Sequence, residues 1–151
     1  GTALMAGGVD RLSKWWILDV FGLPGHPPVQ LGPQFNLVMV WNRGVSFGLF
    51  AGTAAWHRAL LAGFAVAVAA ILFVALLRTR SRWTASALGL VIGGALSNAW
   101  DRLAYGAVAD FIDFHIGGYH WYTFNIADAA ITVGAALLIV DGLFRGGGQH
   151  R

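Results

Sequence analysis

Cysteine is absent from the 151 residues. That removes disulfides, thiolate zinc sites and cysteine nucleophiles at once. Charge is scarce too: Asp, Glu, Lys and Arg make up 11% of the chain, where a soluble domain has about 25%. The net charge is only +3, and the basic residues form no stripe of the kind that grips nucleic acid. Disorder is excluded by what is abundant. Hydrophobic residues reach 57%, ample apolar surface to bury. Proline is limited to Pro24, Pro27, Pro28 and Pro33. There is no internal repeat, and no low-complexity tract beyond Gly146-Gly147-Gly148. A chain of this length, with a mean hydropathy of +0.63, reads as a single small integral membrane domain.

Arg58 and Arg78 bracket an uncharged apolar run, and Arg82 and Asp101 bracket another. Each is close to the roughly 20 residues that a helix needs to cross the hydrocarbon core. A third run extends from about Phe124 to Phe144 and carries Asp128 in its first turns. A fourth, at the start, is interrupted by Asp10, Arg11 and Lys14. The reading is mainly α, a bundle of four transmembrane helices over about 2–20, 54–78, 83–102 and 124–144. The apolar run before Asp10 is short, so a truncated or processed first span is expected; it is also too short for a signal peptide and lacks a basic flank. Arg78, Arg80 and Arg82 crowd one loop, and Arg145 and Arg151 follow the last run. The positive-inside rule puts these, and both termini, in the cytoplasm. Trp15, Trp16, Trp56, Trp83, Trp100 and Trp121 all fall near span ends, as an interfacial aromatic belt should.

The two outward segments are more than loops. Gln34 to Trp41 places Phe35, Leu37, Met39 and Trp41 on one face of a strand. Val108 to Ile116 also reads as extended. A small β-element on the outer surface, about 34–50 and 108–116, is expected.

A carboxylate at membrane depth is a functional candidate by default. Asn98, Asp101 and Arg102 share a face near the outer end of the third span. Ala85, Gly89, Gly93 and Ser97 form a small-residue ridge that admits a neighbouring helix. Asn125, Asp128 and Thr132 share a face at the outer end of the fourth span, and Asp110 lies between the two spans. Plainer readings exist for each. Asp101–Arg102 is then an interfacial charge pair, Asp128 a solvated first-turn residue that favours the helix dipole, Asp110 a solvated loop residue, and Lys14 a snorkelling lysine. Ser13, Ser46, Ser81, Ser86 and Ser97 lack a Gly-x-Ser-x-Gly elbow and a nearby histidine. A metal site from His115 and His120 with Asp110 and Asp113 is conceivable, though none is expected. Two close aspartates can instead share one proton. One then activates water while the other protonates the reacting group, which needs no metal or cofactor.

Five segments, in order, match one family. Asp10-Arg11-Leu12-Ser13-Lys14 resembles its D-x-x-S/T-K segment, and Asn42 to Gly48 its N-x-G-x-x-F-G segment. Gly93 to Arg102 resembles G-G-A-x-x-N-x-x-D-R, Gly106 to Ile112 resembles G-x-V-x-D-F, and Phe124 to Asp128 resembles F-N-x-A-D. The chain is similar over almost its whole length to signal peptidase II, the lipoprotein signal peptidase of bacteria. The resemblance implies a four-helix membrane bundle with an outer β-cradle, and an aspartic endopeptidase at the outer face of the inner membrane. It implies diacylglyceryl-modified prolipoproteins as substrates, cut just before the lipidated cysteine, and globomycin-type lipopeptides as inhibitors. A monomer in contact with membrane lipids is expected. Asp110 and Asp128 carry over as the catalytic pair. Asp110 is chosen over Asp113 because it precedes Phe111, and in a strand the two point to opposite faces. Asp10, Lys14, Asn42, Gly44, Asn98, Asp101, Arg102 and Asn125 carry over as substrate-binding or supporting residues. Phe47 and Gly48 read as packing and turn residues. The competing readings are a non-enzymatic membrane protein that uses its carboxylates for proton or cation relay or lipid binding, and an inactive relative that binds lipoproteins.

Overall fold

The computed structural model describes residues 1–44 and 55–146, with side chains to 144. Val45 to Gly48 of the second segment, Ser46 among them, and the distal part of the expected 34–50 β-element lie outside the described residues. The chain is mostly helical with one small antiparallel sheet. Among the described residues, four α-helices follow in order: α1 (Thr2–Trp15), α2 (Ala55–Arg78), α3 (Arg82–Ala104) and α4 (Ile126–Gly146). α1 continues through a π-helical turn, Trp16–Val20. Strands β1 (Val29–Gln30), β2 (Phe35–Asn42), β3 (Val108–Ile116) and β4 (Tyr119–His120) lie side by side in sequence order.

α3 sits at the centre and packs against α1, α2 and α4. Its start is capped by Ser81, whose Oγ accepts from the Thr84 amide. Its small residues explain its place. A Cβ on Gly89 would meet Thr2, and one on Gly93 would meet the Ala3 carbonyl and Ala6, so α1 lies directly on the predicted ridge. Gly94 faces the other way, toward Ala127 and Ile131 of α4. Backbones can approach this closely only where side chains are minimal. Among the described residues, two helices are long and apolar enough to cross a membrane: α2, with mean hydropathy 2.9, and α4 over Ile126–Phe144, with 1.9. Few of their side chains are covered by the rest of the protein. α1, at 14 residues, is too short by itself, and α3 does not reach that hydropathy, because its inward face carries small and charged residues.

This packing makes a prediction. An alanine Cβ at Gly94 would lie 2.5 Å from the Ala127 carbonyl oxygen. A backbone atom cannot rotate away, so overpacking, about 1–3 kcal/mol, should outweigh the ~1 kcal/mol gain in helix propensity. At Gly63 nothing lies within 4 Å. Gly94→Ala should therefore lower the melting temperature of the purified protein while Gly63→Ala leaves it level or raises it. Equal shifts would contradict the packing.

β3 spans the expected Val108–Ile116. β2 departs from simple alternation. Between the pairs Leu37↔Ile112 and Val40↔Asp110, β2 advances three residues and β3 two. That extra residue is a β-bulge, which reverses the facing of everything beyond it. Trp41 therefore leaves the face of Leu37, against expectation, and meets the Tyr105 ring at 5.8 Å. Asn42 takes the face of Asp110 in exchange. Under the sheet, Ile17, Leu23, Leu37 and Phe111 form a buried cluster. The turn from α3 into β3 passes through Gly106 at φ +76°, a conformation that favours glycine.

Candidate active site

β2, α3, β3 and the start of α4 meet at one end of the bundle. Phe124 is fixed to β3, since its amide donates to the Ile112 carbonyl and its own carbonyl accepts from the amides of Phe111 and Ile112. The start of α4 is thereby held beside Asp110. Asn125 then caps the helix. Its Oδ1 accepts from the Asp128 amide at 2.9 Å, and Asp128 Oδ2 accepts from the Asn125 amide at 3.3 Å. This reciprocal capping box satisfies two helix-end amides. It also fixes Asp128 over the positive end of the helix dipole.

Asn125 does more with its other end. Its Nδ2 donates to Asp110 Oδ1 at 2.7 Å, with the Asn98 side-chain oxygen and the Ala109 carbonyl at 3.2 and 3.3 Å. Asp110 Oδ2 accepts from Asn42 Nδ2 at 3.0 Å. Asp128 Oδ1 accepts from Asn98 Nδ2 at 2.8 Å. The two aspartates thus hang from one asparagine, each braced by a second. Burial, then the charge of Asp128, push Asp110 up to about 7. The donors Asn42 and Asn125 and the charge of Lys14 pull the other way without prevailing.

Asp101 and Arg102 do not act as a simple interfacial pair. Asp101 is fully buried and accepts from Lys14 and Arg11. Arg102 donates to the carbonyls of Asn98 and Gly44, the latter at 3.1 Å. Gly44 is held in addition by its amide, which donates to Asn42 Oδ1 at 3.1 Å. Lys14 is no snorkelling residue. Its side chain is 0% exposed, with Nζ 2.7 Å from both Asp10 and Asp101 and donating to Asn98 Oδ1 at 3.1 Å. Asp10 also accepts from Ser97 Oγ at 2.6 Å. The sequence places Ser97 on a packing ridge and Arg11 in the first segment, but does not single them out as the partners of Asp10 and Asp101 that they are.

Asp113 lies elsewhere. Asn36 donates to it at 2.9 Å, and His120 Nδ1 lies 2.9 Å from both its oxygens. Burial pushes Asp113 up, but those bonds and the adjacent His120 and His115 outweigh it and hold the carboxyl below its ordinary value. Asp110 is on the opposite strand face, so the four-residue metal site does not assemble. Among the described residues, no group of three His or carboxylate side chains is arranged to hold a metal ion.

A cavity of about 270 Å³ opens beside the pair, between α2, α3 and α4. Asn42, Gly44, Asn98, Arg102 and Asp128 line its polar end, and Leu61, Phe64, Val68, Val91 and Ile131 its apolar end. Such a site can hold a polar backbone next to an apolar group, with Asp128 at the junction and Asp110 behind it, joined to it through Asn125.

The comparisons with known proteins agree with the sequence resemblance. The family model for signal peptidase (SPase) II matches residues 2–144. A lipoprotein signal peptidase of Methylocella silvestris is 45% identical over 141 residues, covering 92% of this chain and 82% of its own. One from Methylobacterium sp. (strain 4-46) is 49% identical, covering 88% and 81%. A solved bacterial membrane enzyme superposes with a TM-score of 0.77 at 26% identity, covering 99% of this chain and 89% of that one. With its two long apolar helices, the chain is an integral membrane protein.

Proposed function

This chain belongs to the signal peptidase II family, an aspartic peptidase family that removes the signal peptide from prolipoproteins, and we propose that Asp110 and Asp128 are the carboxylates that do so here. The observation that carries this is the shared asparagine: Asn125 holds Asp110 through its side chain and Asp128 through its cap. The pair holds one proton between them near neutral pH. The ionised carboxylate takes a proton from a water molecule, whose oxygen attacks the scissile carbonyl. The other carboxyl gives its proton to the departing nitrogen as the C–N bond breaks. The two aspartates titrate as a unit, and the proton belongs to the pair.

The substrate is a prolipoprotein whose cysteine carries a diacylglyceryl group. The peptide backbone lies at the polar end of the cavity, met by Asn42, Asn98 and the Gly44 loop that Arg102 braces. The lipid-bearing side lies toward α2. All four helices span the inner membrane as one domain, with both termini cytoplasmic and the aspartates at the outer face. Arg78, Arg80 and Arg82 then occupy an inner loop, and the exposed Trp15, Trp16, Trp56, Trp83, Trp100 and Trp121 lie at the two interfaces. The protein works as a monomer among lipids, and globomycin-type lipopeptides compete for the cavity. The polar groups gather at one end of the bundle instead of crossing it, which favours hydrolysis over ion relay.

The test is cleavage of a diacylglyceryl-modified lipobox peptide by the detergent-purified protein, beside the same peptide without lipid. Mass spectrometry should find a cut immediately before the modified cysteine and little cleavage of the unmodified peptide, because remote binding energy is spent at the reacting bond. No cleavage, or equal cleavage of both, would overturn the reading.

A further inference from the structure

The residue before each aspartate of the pair is a buried alanine, and each alanine gives its backbone amide to a buried carboxylate. Ala127 donates to Asp10 Oδ1 at 2.8 Å. Ala109 donates to Asp101 Oδ2 at 3.3 Å. The two accepting carboxylates are joined by one ammonium, since Lys14 Nζ lies 2.7 Å from an oxygen of each. Asp10, Lys14 and Asp101 have no solvent exposure, and neither do Ala109 and Ala127. Arg11 on Asp101 brings the group to two anions and two cations, so its charges balance. We propose that Asp10 and Asp101 are positioning residues that set the separation of Asp110 and Asp128 through the backbone, with Lys14 as the tie between the two anchors.

The geometry favours this over two plainer roles. Asp10 and Asp101 are enclosed by Lys14, Ser97 and Arg11, which take up their oxygens, so they are not placed to meet substrate. A purely stabilising ion cluster would need no amides, yet these carboxylates accept the two that precede the reacting residues. α1 supplies Asp10 and Lys14, α3 supplies Asp101, and the aspartates stand on β3 and α4. A single buried ammonium therefore sets α4 and β3 relative to each other. Catalytic groups that depart from productive geometry by about 1 Å lose roughly 10²-fold in rate.

The inference rests on Asp110 and Asp128 being the catalytic pair, so Asp110→Asn is assayed in parallel. An active Asp110→Asn enzyme would sink that reading by itself. The variants are Asp10→Ala, Asp10→Asn, Asp101→Ala and Asp101→Asn in the full-length protein, assayed on the lipidated peptide with folding followed by thermal melting. Each alanine variant should lose about 10²-fold in kcat with KM within about threefold. Each asparagine variant, which keeps an oxygen for the amide, should recover at least tenfold of that loss. A folded asparagine variant as inactive as its alanine counterpart would overturn the proposal, because the charge or proton itself would then be required. So would a rise in KM with kcat unchanged, or wild-type turnover in the alanine variants. If an alanine variant does not fold, the asparagine variant decides alone: folded and within about tenfold of wild-type kcat supports positioning, and folded but inactive refutes it.

Discussion

Asp110→Asn and Asp128→Asn should each abolish cleavage of the lipidated peptide while leaving the protein folded. Loss of one proton-exchanging carboxyl removes about 10²–10⁴-fold in rate, and either variant also loses the shared proton. Folding should survive because the shape is conserved and much of the hydrogen bonding remains. In Asp128→Asn the new side-chain oxygen could still accept from Asn98 or from the Asn125 amide, though not from both in the present geometry. At position 110 one of the donors, Asn42 or Asn125, would face an amide nitrogen. An unsatisfied buried donor costs about 1–3 kcal/mol, partly offset because a carboxylate no longer has to be ionised in a buried setting. Melting temperatures should thus move by a few degrees while turnover disappears. Asp113→Asn is the control. Asp113 stands on the other strand face with His120 and Asn36, so cleavage should stay near wild type. Normal turnover in either of the first two variants, or loss in the third, would mean that the pair is misassigned.

Much of this site is legible in the sequence because its signals are local. Asn125-x-x-Asp128 has the spacing of a capping box, and the structure contains one. The ridge of Ala85, Gly89, Gly93 and Ser97 is a helical pattern, and α1 lies on it. Asp110 and Asp113, three apart in a strand, part to opposite faces as period two requires. What stays hidden depends on partners far along the chain. Lys14 is a snorkelling residue or a buried one according to whether Asp101 and Asn98 close over it, and no local pattern says so. Asp10 accepts from an amide 117 positions away. The bulge in β2 is invisible in the alternation of Phe35, Leu37, Met39 and Trp41, since hydrophobic residues occupy both faces there. Its consequence is functional: without the extra residue, Asn42 would share a face with Asn36 and could not reach Asp110.

Stability should fall as pH rises from about 4 to 7, and Asp110 should be the cause. Its carboxyl sits at about 7 in the folded protein, against an ordinary value of 3.8. Below pH 4 both folded and unfolded chains hold the proton. Between 4 and 7 only the folded chain keeps it, so each rise in pH favours unfolding. Above about 7 both are ionised and the slope ends. A three-unit difference corresponds to about 4 kcal/mol at most. Asp113 has the opposite sign, since its depressed carboxyl adds stability that is lost only as pH falls below about 4. The two effects therefore occupy different windows. Melting curves from pH 4.5 to 8 should decline through neutrality more steeply in the wild type than in Asp110→Asn. Parallel curves would refute the raised value. The same proton governs rate. Cleavage needs one proton on the pair, so activity should drop about tenfold per pH unit beyond an alkaline limb near 7. The Asn42 amide is one of the groups that pull Asp110 down. Removing it in Asn42→Ala should move that limb to higher pH, even where the maximal rate declines. A limb that stays fixed would mean that the titrating group is not Asp110.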